Sequence, residues 1–243
     1  MTSSHSAPKA HGTILRSSFH APFWAKNRHV QTIWPRFLQK RKALSVSTER
    51  LATPDNDFVD LAWSPKPDNS KGLVVVFHGL EGSIRSHYAN DVMASLNNDG
   101  WQVVLMHFRG CSGEPNNTTR TYHSGDTRDA MFVLEQLKRR HPEQLMVAVG
   151  FSLGGNMLLK LLGENPLQKW LHSACVISAP LKLAECSESI NKGFSRVYQR
   201  YLLASMKRTL LTKMKHLDYS HDLSISVPHV REISSFREFD DLV

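Results

Sequence analysis

The stretch Val147-Ala148-Val149-Gly150-Phe151-Ser152-Leu153-Gly154-Gly155-Asn156-Met157-Leu158-Leu159-Lys160-Leu161-Leu162 joins an apolar strand, the pattern G-x-S-x-G and an apolar helix. That context makes Ser152 a candidate nucleophile. A serine on a sharp strand-to-helix turn presents its hydroxyl at the edge of a sheet. Gly150 and Gly154 suit such an elbow, because a side chain at either place would collide with the neighbouring strand or helix. The helix that follows offers unpaired N–H groups and the positive end of its dipole beside the serine.

Working outward, strand and helix patterns alternate. Residues 72–78 (Gly-Leu-Val-Val-Val-Phe-His) predict a buried strand, 88–98 a helix and 101–108 a strand. Residues 127–140 predict a helix, 145–150 a strand, 156–162 a helix and 174–178 a strand. Such alternation predicts a mostly parallel sheet with helices on both faces, and the apolar strands fit burial on both sides. Upstream, 44–52 and 57–63 flank Thr-Pro-Asp-Asn-Asp and predict a hairpin. Residues 27–38 carry Val30, Ile33, Trp34, Phe37 and Leu38 at helical spacing, with Pro35 set to kink or end that helix. Beyond Pro180 the pattern turns helical, above all over 195–217, whose apolar members are Val197, Tyr201, Ala204, Leu210, Leu211 and Met214. Domain organisation is therefore read as a polar tail over 1–18, a core over 19–180 and a helical cap over about 181–243.

Acyl cleavage by serine needs a hydroxyl, a base, a group that orients the base, and donors for the oxyanion. Ser152 supplies the first. The donors are expected to be the N–H of Leu153 and the N–H of Leu80, in the loop His78-Gly79-Leu80-Glu81-Gly82-Ser83, where Gly79 and Gly82 allow close backbone approach. His78 ends a buried strand and is read as structural. Arg109-Gly110-Cys111-Ser112-Gly113 follows a central strand and is read as a turn near the pocket. Asp126 and Asp129 are read as carboxylates at a helix start, where they favour the dipole. Trp24, Trp34 and Trp63 are read as core or pocket wall. The glycine motifs match neither a P-loop nor a dinucleotide fingerprint.

Four motifs taken together, His78-Gly-Leu-Glu-Gly-Ser83, Arg109-Gly-Cys-Ser-Gly-Glu-Pro-Asn116, Tyr122-His-Ser-Gly125 and Gly150-Phe-Ser-Leu-Gly-Gly-Asn156, resemble the α/β-hydrolase superfamily. More narrowly they resemble its AB hydrolase-4 branch of bacterial, yeast and animal esterases. The resemblance runs over roughly residues 15–243. It implies hydrolysis of carboxylic esters, with short- or medium-chain acyl esters or monoacylglycerols as substrates. It implies no metal and no organic cofactor. It also implies a Ser, Asp, His order, with the last two on loops after later strands.

Those later strands are not legible here. No apolar strand ending in aspartate follows Ser178, and no histidine loop follows it. The late acids and histidines are Asp218, Asp222, Asp240, Asp241, His216, His221 and His229, all in a segment that reads as cap. The triad Asp and His are expected beyond residue 243, so this chain is expected to be truncated, inactive or impaired, with its last strand a bare edge. The alternatives from other classes are a non-catalytic acyl-binding module and a lipase or acyltransferase at a membrane surface.

The formal net charge is +8, and much of it is local. Lys192, Arg196, Arg200, Lys207, Arg208, Lys213 and Lys215 have no acid between them, and Lys26, Arg28, Arg36, Lys40, Arg41 and Lys42 form a second group. These are read first as solvated helix faces, and next as a weak attraction to anionic membrane. No nucleic-acid motif is present. Cys111, Cys175 and Cys186 form neither a disulfide framework nor a zinc pattern, and Cys175 is read as core. Together with an N-terminus lacking an apolar segment, they suggest the cytoplasm.

Overall fold

Strands β1 (Ser47–Ala52), β2 (Phe58–Trp63), β3 (Leu73–Phe77), β4 (Gln102–Met106), β5 (Met146–Phe151) and β6 (Ser173–Ile177) make one sheet. Its spatial order is β1-β2-β4-β3-β5-β6. The computed structural model describes residues 12–38, 44–219 and 225–242. The expected hairpin forms with Ser47 opposite Trp63 and Ala52 opposite Phe58, and β2 runs antiparallel to β4. The remaining pairs are parallel, with Val75 beside both Val104 and Ala148.

The pleat sends alternate side chains to opposite faces. Leu73, Val75 and Phe77 face a cluster built with α3 (Arg128–Arg140) and α4 (Leu153–Glu164), through Val133, Leu137, Met157 and Leu161. Val74 and Val76 face α2 (Ala89–Asn98) through Ala89 and Met93. All five residues of β3 are buried, which is why this run reads as apolar throughout rather than alternating. Each such aliphatic side chain contributes about 1.5–3 kcal/mol on burial.

Burial fades toward one edge. Along β5 it alternates, and along β6 nearly every residue is exposed. Cys175 is therefore not core: it lies on this outer strand, exposed. Helix α4 starts at Leu153, three residues before the expected start, because it springs directly from the elbow.

Helices α5 (Leu183–Ile190), α6 (Ser195–Lys213), α7 (Val227–Glu232) and α8 (Phe236–Leu242) follow. Leu210, Tyr219, Ile225 and Val230 form a cluster of their own among them. The stripe that α6 buries is Gln199, Leu203, Met206, Leu210 and Lys213, while Val197 and Tyr201 stay exposed. Lys213 thus leaves the expected solvated face. Its ammonium donates to the carbonyl oxygens of Arg120 (2.7 Å) and Thr119 (3.4 Å). Burial lowers its pKa to about 8.

The chain divides into two compact units, Met1–Gln39 and Lys40–Val243. Within the first, α1 (Arg28–Phe37) is capped by the Asn27 side chain, which accepts from the His29 N–H. Pro35 sits in its last turn, and the helix ends two residues later. Trp24 and Trp34 are not core: their rings pack on each other at 4.9 Å and both remain exposed. Most of the tail at 1–18, Lys40, Arg41, Lys42, His221 and Asp222 lie outside the described residues.

Candidate active site

Ser152 sits between β5 and α4 with φ 49° and ψ −117°. A non-glycine residue in that region costs on the order of 1–3 kcal/mol and persists only where its surroundings hold it. Here both neighbours hold it. The Ser152 N–H donates to the Ile177 oxygen of β6 (2.9 Å), and the Ser152 oxygen accepts from the Asn156 N–H (3.0 Å). The Asn156 amide in turn donates to the Pro180 oxygen (2.9 Å), tying the first turn of α4 to the segment after β6.

The glycines around the serine are required by space, since their φ values are ordinary. A Cβ on Gly154 would lie 2.4 Å from the His78 oxygen and 2.6 Å from the Phe77 oxygen. One on Gly150 would meet Gly155 Cα at 2.7 Å. One on Gly79 would come within 3.2 Å of Ser152 Cβ, so the loop after β3 lies directly against the serine. Gly82 makes room within the loop itself, for His78 Nδ1 at 2.8 Å and the Gly79 oxygen at 2.9 Å.

Side chains from three other segments pin that loop. The Gly79 N–H donates to Tyr88 Oη (2.9 Å), and the Glu81 N–H donates to Tyr122 Oη (2.8 Å). The Gly82 N–H donates to the Gly79 oxygen (2.9 Å), and the Ile84 N–H donates to His107 Nε2 (3.1 Å). The Leu153 N–H is the first amide of α4, where no helical partner exists.

His78 is fully buried and serves as a clamp. Its Nδ1–H donates to the Gly79 oxygen (2.7 Å), and Nε2 accepts from the Phe108 N–H (3.1 Å). Burial lowers its pKa from 6.5 to about 3, and burial lowers that of His107 as well. The His78 ring stays neutral in the fold, while the unfolded chain takes up protons below pH 6.5. Stability is therefore expected to fall as the pH drops from about 7 to about 5. Urea midpoints at those two values check this, and a midpoint no lower at the acid value would contradict a neutral His78.

Among the described residues, no side chain hydrogen-bonds the Ser152 hydroxyl, which is exposed. His216 and Asp218 lie in the turn after α6, His229 in α7, and Asp240 and Asp241 in α8. No cluster of metal-holding side chains occurs among the described residues.

Arg109 departs from its expected place at the pocket. Its side chain is 1% exposed and donates to Asp129 (2.7 and 2.9 Å), Asp57 (2.9 Å) and Asp55 (3.0 Å). Asp129 is thus the partner of Arg109 and Arg120, not simply a helix-start carboxylate. Asp126 combines both roles, accepting from the Arg128 N–H (3.2 Å) and pairing with Arg120 (2.5 Å). Sequence reasoning missed Glu81, Tyr88 and Tyr122 as loop anchors, although all three stand in or beside the quoted motifs.

The family model for the alpha/beta hydrolase fold matches residues 72–230. The chain is 45% identical over 219 residues to "Putative esterase YheT" of Escherichia coli, covering 89% of this chain and 64% of that protein. It is 26% identical over 238 residues to "Phospholipase ABHD3" of Bos taurus, covering 95% of this chain and 57% of that protein. The chain spans less than two thirds of the length of these curated relatives. Among solved structures, the Pyrococcus furiosus esterase Pf2001 superposes with a TM-score of 0.54 at 20% identity, over 70% of this chain and 66% of that one. That likeness speaks for the fold. The chain belongs to the alpha/beta hydrolase fold family.

Proposed function

We propose that the complete protein is a serine hydrolase of carboxylic esters, acting on short- or medium-chain acyl esters, monoacylglycerols among them. One observation carries the reading: Ser152, at φ 49° on the strand-to-helix turn, has the first amides of α4 on one side and Gly79 on the other. The esterase and phospholipase names of its relatives support it. Ser152 Oγ attacks the acyl carbonyl while its proton passes to a base. The N–H groups of Leu80 and Leu153 hold the oxyanion. Collapse expels the alcohol, which takes the proton, and water then releases the acid and restores the serine.

The base and its orienting carboxylate are assigned to the part of the relatives' length that this chain does not span. A fluorophosphonate probe tests this, because it labels only an activated serine. The complete protein is expected to be labelled at Ser152, and residues 1–243 alone are expected to label poorly. An unlabelled complete protein that still binds acyl ligands would replace this reading with a non-catalytic module. A reducing, cytoplasmic setting is supported by three cysteines without a disulfide. Among the described residues, no helix is long and apolar enough to cross a membrane.

A second reading, action at an anionic membrane surface, is favoured by the outer side of α6. Phe194, Val197 and Tyr201 are each more than half exposed there, amid Lys192, Arg196 and Arg200. Sedimentation with anionic liposomes is expected to carry the protein down at low salt. Release is expected at about 1 M salt, where the screening length falls to about 3 Å. Binding that ignores salt would rule out the electrostatic account.

A further inference from the structure

We propose that Glu81 is a positioning residue for the oxyanion turn, and that helix α6 acts on the reacting centre through it. The proposal rests on the ester-hydrolase reading above for its catalytic half. Its structural half stands alone.

Glu81 has φ 52°, a backbone region that a side chain with a Cβ adopts only under constraint. The constraint is visible. The Glu81 N–H donates to Tyr122 Oη (2.8 Å), and the same hydroxyl donates back to Glu81 Oε1 (3.0 Å). This closes a ring between main chain and carboxylate. The Tyr122 ring is itself stacked on Phe108, at 5.1 Å and 9°. Oε2 accepts from two hydroxyls of α6, Ser205 Oγ (3.0 Å) and Thr209 Oγ1 (2.8 Å). Ser205 and Thr209 are four residues apart and share one helix face, so a single carboxylate oxygen reads the position of the whole turn. Thr209 also packs against Gly110, where a Cβ would meet its Cγ2 at 3.0 Å.

The turn is thus staked on both sides of Leu80. Gly79 is fixed through Tyr88 and Glu81 through Tyr122 and α6, and the peptide between them carries the Leu80 amide, which the ester-hydrolase reading assigns to the oxyanion. A carboxylate one residue from an oxyanion donor would oppose the developing charge if it were bare. Three hydroxyl donors engage its oxygens, so it serves as an anchor. The consequence is specific. Displacing α6 releases Glu81, lets the Leu80 peptide rotate, and weakens a contact made in the transition state more than in the ground state.

Two variants separate the cases. Ser205→Ala with Thr209→Val removes both α6 donors while nearly keeping shape, and Glu81→Gln keeps an acceptor for Tyr122. Amide hydrogen exchange on the 243-residue chain reads the structural half without any activity. The double variant is expected to speed exchange over 79–82 by about tenfold or more, with β3 and β4 unchanged. In the complete protein, kcat for Ser152-dependent ester hydrolysis is expected to fall about 10–100-fold with KM within about twofold, approaching the loss of one oxyanion donor. Glu81→Gln is expected to recover most of the rate that Glu81→Ala loses. Unchanged exchange over 79–82, or faster exchange spread equally through β3 and β4, overturns the positioning role. Loosened exchange with kcat unaltered overturns the link to the reacting centre. A complete protein with no Ser152-dependent turnover overturns the ester-hydrolase reading instead, and the exchange result still decides the role of Glu81.

Discussion

Ser152→Ala in the complete protein is expected to abolish fluorophosphonate labelling and lower kcat by about 10⁴–10⁶. The residue is exposed, and its hydroxyl holds no partner among the described residues. Its removal therefore leaves no buried group unsatisfied, and alanine meets the same backbone cost at φ 49° as serine does. Stability is expected to move by no more than about 0.5 kcal/mol, as for surface substitutions generally. A rate loss with an unchanged unfolding transition separates a chemical role from a structural one. Labelling that survives the substitution, or turnover within tenfold of the parent, would remove Ser152 from the mechanism.

Arg109→Leu is expected to be the most damaging substitution for stability, at about 3–5 kcal/mol, because it strands buried carboxylates without their counter-ion. Asp57 has a side chain fully shut off from solvent, and Asp129 is 11% exposed. Burial alone would raise the Asp57 pKa. Hydrogen bonds from Thr118, the Asn117 N–H and Asn116 outweigh it and hold the group below the usual carboxylate range. Asp55 and Asp126 are lowered too, against the same burial cost, by Arg109 and Thr53 at Asp55, and by Arg128 and Arg120 at Asp126. Groups depressed in this way stabilise the fold above the unfolded carboxylate pKa of about 4, and that contribution is lost as the pH falls further. The cluster should thus be intact at neutral pH, where a drop in the urea midpoint of Arg109→Leu can be assigned to it. A midpoint equal to the parent's would show that Arg120, which already pairs with Asp55 and Asp129, carries the network by itself.

The sheet was legible because its strands obey local rules. The run Leu73, Val74, Val75, Val76 and Phe77, short and rich in β-branched valine, reads as a strand covered on both sides, and each elbow glycine answers a clash within a few residues in sequence or one strand away. What escaped was long in sequence and short in space. Glu81 is 124 and 128 residues from Ser205 and Thr209, and no spacing rule links a turn to a helix so far along the chain. Lys213 reads as surface because lysines usually are. It is buried because carbonyls of Thr119 and Arg120 happen to meet it. Cys175 misled in the opposite direction: an apolar strand looks like core wherever it stands, and exposure depends on its place in the strand order. Arg109 looked like pocket furniture because a strand end points toward the site. Its three aspartates lie 20 to 54 residues away.

One hydrogen bond sets the elbow apart from the rest of the core. The Ser152 N–H is fastened to Ile177 on β6, the sheet's most exposed strand, whereas the loop facing it hangs from β3, the most deeply covered. Within residues 1–243 the two halves of the site are therefore expected to open with unequal free energies. A ligand that binds β6 more tightly when Ser152 is locked than when it is not will favour the locked arrangement. By thermodynamic reciprocity, a ligand drawn to that arrangement will tighten the hold on β6 by the same factor.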